Sequence, residues 1–186
     1  MAVAYEPIRV ARSVGEGAPR KVSPPEGATK THKDGVPMVL SSGLAQEAAF
    51  GAAEIVHGVS IGPGSNLAVA GTAEELSLGA APNMASSKII PVGAPIKDGY
   101  SHMYAADGRT TFYIMLKDGQ VFTNAMVGAT FGLVKDGTSG YWFMDNTDTS
   151  GDNAVAVCRG VDPSSPNTVA LGARVLFQFL AALRAF

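Results

Sequence analysis

The chain has 186 residues, of which 46% are hydrophobic and only 16% charged, with a formal net charge of −2. That length holds one large or two small domains, and the apolar fraction is enough to bury a core without disulfide staples. The 14 Lys and Arg are scattered along the chain and make no basic stripe for nucleic acid, and the longest apolar stretch, residues 169–186, is broken by Arg174, Gln178 and Arg184 before it reaches the roughly 20 residues of a membrane span.

The single Cys158 can form no intramolecular disulfide, and the opening Met-Ala-Val-Ala-Tyr-Glu-Pro lacks the apolar run of a secretory leader. Both features predict synthesis and assembly in a reducing cytoplasm. Low charge with 22 Gly and abundant Ala suits a protein that covers much of its surface with partners.

Residues 1–29 carry few large apolar side chains, chiefly Tyr5, Ile8, Val10, Val14 and Val22, among Pro7, Pro19, Pro24 and Pro25 and basic Arg9, Arg12, Arg20 and Lys21. Such a segment buries too little to fold alone and reads as an extended arm that orders on a surface. The pattern changes from residue 30. Val36, Met38 and Leu40 alternate with Pro37 and Val39, Ser41-Ser42-Gly43 turns the chain, and residues 55–61 alternate again before Gly62-Pro63-Gly64. Thr72-Ala73-Glu74-Glu75 has the spacing of a weak capping box, and residues 80–87 read as a loop.

The second half is more strongly β. Strand-like runs fall at residues 88–96, 100–105, 110–116, 120–123, 130–134, 141–144, 154–158 and 174–180, separated by turn residues at the spacing of a barrel or sandwich. Lys-Asp-Gly occurs at 33–35, 97–99, 117–119 and 135–137, where Asp-Gly would supply the positive φ of two-residue hairpin turns. The expected architecture is all-β: an arm over 1–29, a small β domain with an irregular linker over 30–87, and a barrel or sandwich over 88–186, all of short antiparallel strands. Trp142, Phe131 and Phe177 are the expected core side chains, with Trp142 the plug of the last unit.

Reactive constellations are thin. His32, His57 and His102 stand alone, and no His-x-x-x-His or Cys-x-x-Cys pair offers metal ligands. Asp145, Asp148 and Asp152 lie close together but lack the alternating ligands and closing Glu of a calcium loop, so they read as an Asx-rich turn. No Gly-Lys-Ser/Thr follows Gly62-Pro63-Gly64, and Ser86-Ser87-Lys88 misses the Ser-x-x-Lys spacing of a hydrolase. The expectation is a chain that is not an enzyme and takes no metal or cofactor. Tyr141 and Trp142 leave open a carbohydrate-binding β module, with the aromatics stacked on a sugar.

Two stretches carry a family resemblance. Thr31-His32-Lys33-Asp34-Gly35-Val36-Pro37-Met38-Val39-Leu40 followed by Ile55-Val56-His57-Gly58-Val59-Ser60 resembles the "lysine, small turn, Gly-x-Pro-x-x-Leu … Ile-x-Gly-x-Ala" run of tailed-bacteriophage head proteins. Phe131-Gly132-Leu133-Val134, Gly140-Tyr141-Trp142-Phe143-Met144-Asp145, the Val161-Asp162-Pro163 break and Arg174-Val175-Leu176-Phe177-Gln178-Phe179 resemble the second half of capsid decoration (cement) proteins. The likeness covers about residues 30–180 and rests on strand and turn order; the long N-terminal arm departs from it.

The resemblance implies β-barrel or β-tulip domains on the outside of an icosahedral shell. The implied partners are the major capsid protein and other copies of the chain in a homotrimer, with no nucleic acid, no membrane and no cofactor. The implied location is the outer capsid surface of the virion. Tyr5, Ile8, Arg9, Val10 and Arg12 of the arm are then the expected capsid contacts, the apolar ones as anchors and the arginines as partners of capsid carboxylates.

Overall fold

The longest β-branched and aromatic run, Thr110-Thr111-Phe112-Tyr113-Ile114-Met115-Leu116, forms the strand around which the rest of the molecule is organised. The computed structural model describes residues 5–13, 18–25, 32–50, 54–62, 101–151, 154–166, 172–181 and 184. In chain order the strands are β1 (Arg9–Ser13), β2 (Lys21–Val22), β3 (Pro37–Ser41), β4 (Leu44–Glu47), β5 (Val56–Ser60), β6 (Met103–Ala105), β7 (Thr110–Leu116), β8 (Thr130–Lys135), β9 (Trp142–Asp145), β10 (Ala154–Val161) and β11 (Arg174–Phe179). A short 3-10 turn lies at Asn124–Met126.

β7, β11, β10, β8 and β9 close into a five-stranded barrel, because the last strand returns to the first through a parallel pairing, Met115 opposite Phe143 and Leu116 opposite Met144. β7 is long enough to pair twice along one edge. Its last residues meet β9 while residues 110–113 take β1 as an antiparallel neighbour. Alternation along β7 sends Phe112, Ile114 and Leu116 inward, where Phe112, Phe177 and Phe179 meet with ring centroids 5.1–5.7 Å apart. Those distances suit tilted and edge-to-face aromatic packing. Phe131 and Trp142 are buried as well.

The second sheet has the order β2-β6-β5-β3-β4, antiparallel throughout. Its strands come from all three stretches that the sequence pattern separates: β2 from residues 1–29, β3 to β5 from the middle, and β6 from the last. The unit boundaries at 29/30 and 87/88 therefore do not divide the sheets. One hydrophobic cluster runs through both sheets, from Met38, Val56 and Met103 to Phe112 and Phe177.

Seams between the sheets are tied by side chains. Glu47 of β4 accepts 2.8 Å bonds from the Trp142 indole N–H and the Lys135 ammonium, and Phe50 packs edge-on to Trp142 at 5.1 Å. Lys33 donates to the Ser139 carbonyl and lies 4.9 Å from the Tyr141 ring.

The turns differ from the expected hairpins. The two-residue loop joining β3 to β4 is Ser42-Gly43, with φ of 51° and 80°, the positive pair that a type I′ hairpin needs. Among the described Lys-Asp-Gly sites only 135–137 lies in a hairpin. There the loop spans 136–141, its positive φ falls at Gly140, and Asp136 accepts from the Ser139 N–H at 2.6 Å. The turns at 33–35 and 117–119 join strands that do not pair with each other, and after 117–119 barrel closure, not the local turn, selects β7's neighbours. The Gly35 carbonyl accepts from Ile8 and its N–H donates to Ser60. Residues 120–123 form no strand, since Gln120 turns its amide to Asp145. The expected strand at 88–96, the Lys-Asp-Gly at 97–99 and the capping box at 72–75 lie outside the described residues.

Candidate functional site

The five expected contact residues do not form a free arm. β1 pairs with β7 alongside the closed barrel, with Arg9 opposite Tyr113, Val10 opposite Phe112 and Arg12 opposite Thr111. Ile8 is 2% exposed and its N–H donates to the Gly35 carbonyl at 2.9 Å. It anchors the chain to its own core and is closed to a partner. Tyr5 stacks on Phe143 with centroids 4.7 Å apart, and its hydroxyl accepts from the Asp118 N–H at 2.9 Å. Val10 is half-buried, so only Arg9 and Arg12 of the five stand exposed.

This placement has a physical reason. Ile8 and Val10 supply an alternating apolar face, and β7 offers an unpaired half-edge to receive it. Pro7 and Pro24-Pro25 bracket the paired residues without removing a required donor. Gly35 makes the fit possible, since its φ is 69° and an added Cβ would stand 2.7 Å from the Ile8 carbonyl oxygen.

Beside β1 lies a cleft of about 230 Å³ lined by Ile8, Arg9, Val10, Asp34, Ser60, Ile61 and Tyr104. Arg9 closes one wall through a 2.6 Å ion pair with Asp34, whose other oxygen accepts the Gly62 N–H at 2.8 Å.

Directly opposed residues of antiparallel strands share a sheet face, so the registers define what covers the barrel outside β1, β7 and β11. Arg9, Tyr113 and Leu176 form one row, Met115 and Arg174 another, and Arg12, Thr111, Gln178 and Val157 follow the two sides of a third. Arg174 lies 5.2 Å from the Tyr113 ring centre and binds Asp162 at 2.7–2.8 Å, with Glu6 at 3.8 Å. Asp162 is held below the usual carboxylate range by the Ser164 backbone N–H, the Ser164 hydroxyl and Arg174. Arg159 donates to the Gln178 amide oxygen at 3.0 Å, and Gln178 in turn reaches the Gly108 carbonyl. Four of the seven arginines of the chain thus lie on one face, and no lysine lies in these rows.

Elsewhere the polar groups serve the fold. Asp145, 10% exposed, accepts from Lys117 at 2.7 Å, Gln120 at 2.7 Å and the Thr147 hydroxyl at 2.6 Å. Burial opposes its ionisation, but these donors outweigh it and hold the carboxyl well below the usual range. The same bond raises the Lys117 ammonium. Asp145 therefore belongs to a β7–β9 tie; Asp152 lies outside the described residues. His57 bonds the Ile55 carbonyl at 3.0 Å and His102 bonds Ser23 at 2.8 Å. Among the described residues no three His, Cys, Asp or Glu side chains group as metal ligands, and no helix is long and apolar enough to cross a membrane. Trp142, 3% exposed with its N–H bound to Glu47, offers no ring face to a sugar.

Fold and surface together define an all-β, two-sheet protein whose N-terminal strand completes the outside of a closed barrel. No family model, curated protein or solved structure matches the chain.

Proposed function

We propose that this chain is a non-enzymatic structural protein that binds the outer surface of a bacteriophage capsid and bridges neighbouring major capsid proteins, as a trimer. The observation that carries the reading is where the phage-head-like run falls. Gly35-Val36-Pro37-Met38-Val39-Leu40 leads into and forms β3, and Val56-His57-Gly58-Val59-Ser60 forms β5, its antiparallel neighbour at the centre of the small sheet. The two glycines of that run stand where a side chain has no room: Gly35 against Pro7 and Ile8, Gly58 against the Tyr104 carbonyl. The resemblance therefore coincides with residues that this architecture demands.

Bridging would work by multivalency. Each contact between a small β protein and one capsid subunit is weak, but simultaneous contacts within a trimer raise the effective concentration of the rest. A standard interface of roughly 800 Å² per partner would engage one sheet face and leave the core untouched. The sugar-binding alternative loses its main platform with Trp142 buried.

Co-sedimentation of the full chain with purified expanded capsids tests the reading. Saturable co-sedimentation at a fixed number of copies per shell is expected; no occupancy at micromolar protein would overturn it.

A further inference from the structure

We infer that the arginine-bearing outer face of β1, β7 and β11 is the surface that docks on the partner, and that what it recognises is carboxylates displayed on a folded protein. The inference rests on the capsid-binding reading for the partner's identity. Within the face, Arg9 and Arg174 already hold Asp34 and Asp162, whereas Arg12 has no carboxylate partner among the described residues and Arg159 is bound to the neutral amide of Gln178. Arg12 and Arg159 bracket the Thr111–Gln178 pair, so two exposed guanidinium charges stand at either end of one short row.

The composition argues for protein and against nucleic acid. Interface patches are enriched in Arg, Tyr and Met and depleted in Lys, as the rows through Tyr113 and Met115 are. A nucleic-acid strand asks for uniform positive charge and open aromatic faces. Here Glu6, Asp34 and Asp162 interleave with the arginines, and the Tyr113 ring is covered by Arg174. A mosaic of both signs suits a complementary protein surface, where rim charges set approach rate and salt dependence.

The test compares the full-length protein with R12E/R159E and, as a milder pair, R12A/R159A, on purified expanded capsids at 50 and 300 mM salt. Both positions are exposed, so unchanged thermal midpoints are expected, and the Ala pair keeps the test open if charge reversal disturbs the fold. Apparent affinity of the wild type should fall as salt rises; R12E/R159E should bind at least tenfold more weakly at low salt, with little further salt dependence. Wild type and both variants binding shells equally would overturn the inference while leaving the capsid reading intact. Wild type failing to bind shells at all would remove the capsid reading and the inference with it. A 20-residue oligothymidylate bound by the wild type more tightly than shells, and lost in R12E/R159E, would overturn the carboxylate assignment in favour of phosphate.

Discussion

The barrel and the small sheet bury the same kinds of side chain and yet hold together differently. The barrel closes its own hydrogen-bond circuit and fills it with Phe112, Phe177 and Phe179, so its stability is local to β7–β11. The small sheet is gathered from three distant stretches, with strands of two to five residues. It is held to the barrel at particular points: Trp142 with Glu47 and Phe50, Lys33 with Ser139, and Ile8 under Gly35. A closed ring tolerates the loss of a neighbour, whereas an assembled sheet depends on its seams. Native-state hydrogen exchange should therefore separate the two, with amides of β7 and β11 opening only globally and those of β2 and β4 opening first.

The strongest way to break that contrast is at the shared plug. Trp142→Ala should cost about 3–5 kcal/mol in denaturant unfolding, combining cavity formation with the loss of the Glu47 bond. An unchanged midpoint would contradict its placement. Next comes Ile8→Ala, expected to cost about 2–5 kcal/mol and to speed exchange in β1 and around Gly35 more than in β10 and β11. Deleting residues 1–25 should cost more than Ile8→Ala alone, since β1 and β2 leave together.

Electrostatics supply a smaller effect with a pH signature. The Asp145 carboxyl is depressed, so its contribution is complete above the unfolded carboxylate pKa of about 3.9 and is lost as pH falls through its lower folded value. Lys117 is raised, so its share is complete below the unfolded lysine value and fades only as pH rises through the folded one. Asp145→Asn should cost about 1.5–3 kcal/mol at pH 7 and flatten the acid limb of the stability curve between pH 4 and 2. A variant as acid-sensitive as the wild type would show that another carboxylate governs that limb. Arg9→Ala, which breaks an exposed ion pair, should shift unfolding by no more than about 1 kcal/mol.

How much of this was legible in the sequence follows from the range of the interactions. The all-β class, β3, β5, β7, β8 and β9, and the burial of Trp142, Phe131 and Phe177 came from alternation and turn residues, which are local. The small sheet's membership did not, because pairing β2 with β6 joins Lys21 to Tyr104, far apart in the chain. The N-terminal segment looked like a free arm for the same reason: Ile8 and Val10 are too few to fold alone, and only β7's half-edge makes them a strand. The arginine face was invisible as a cluster, since Arg12 and Arg159 meet Thr111 and Gln178 only through the barrel's register. Alternation of Ile8 and Val10 about Arg9 was the one local signal that could have found β1.

Single-particle electron microscopy of shells saturated with this protein would show both whether it binds and which face it turns to the shell. Additional density is expected on the outer capsid surface, into which the barrel fits with β1 and β11 toward the shell and Arg12 and Arg159 within reach of capsid carboxylates. Shells with no added density would contradict the function, and density fitted with that face toward solvent would contradict the docking surface.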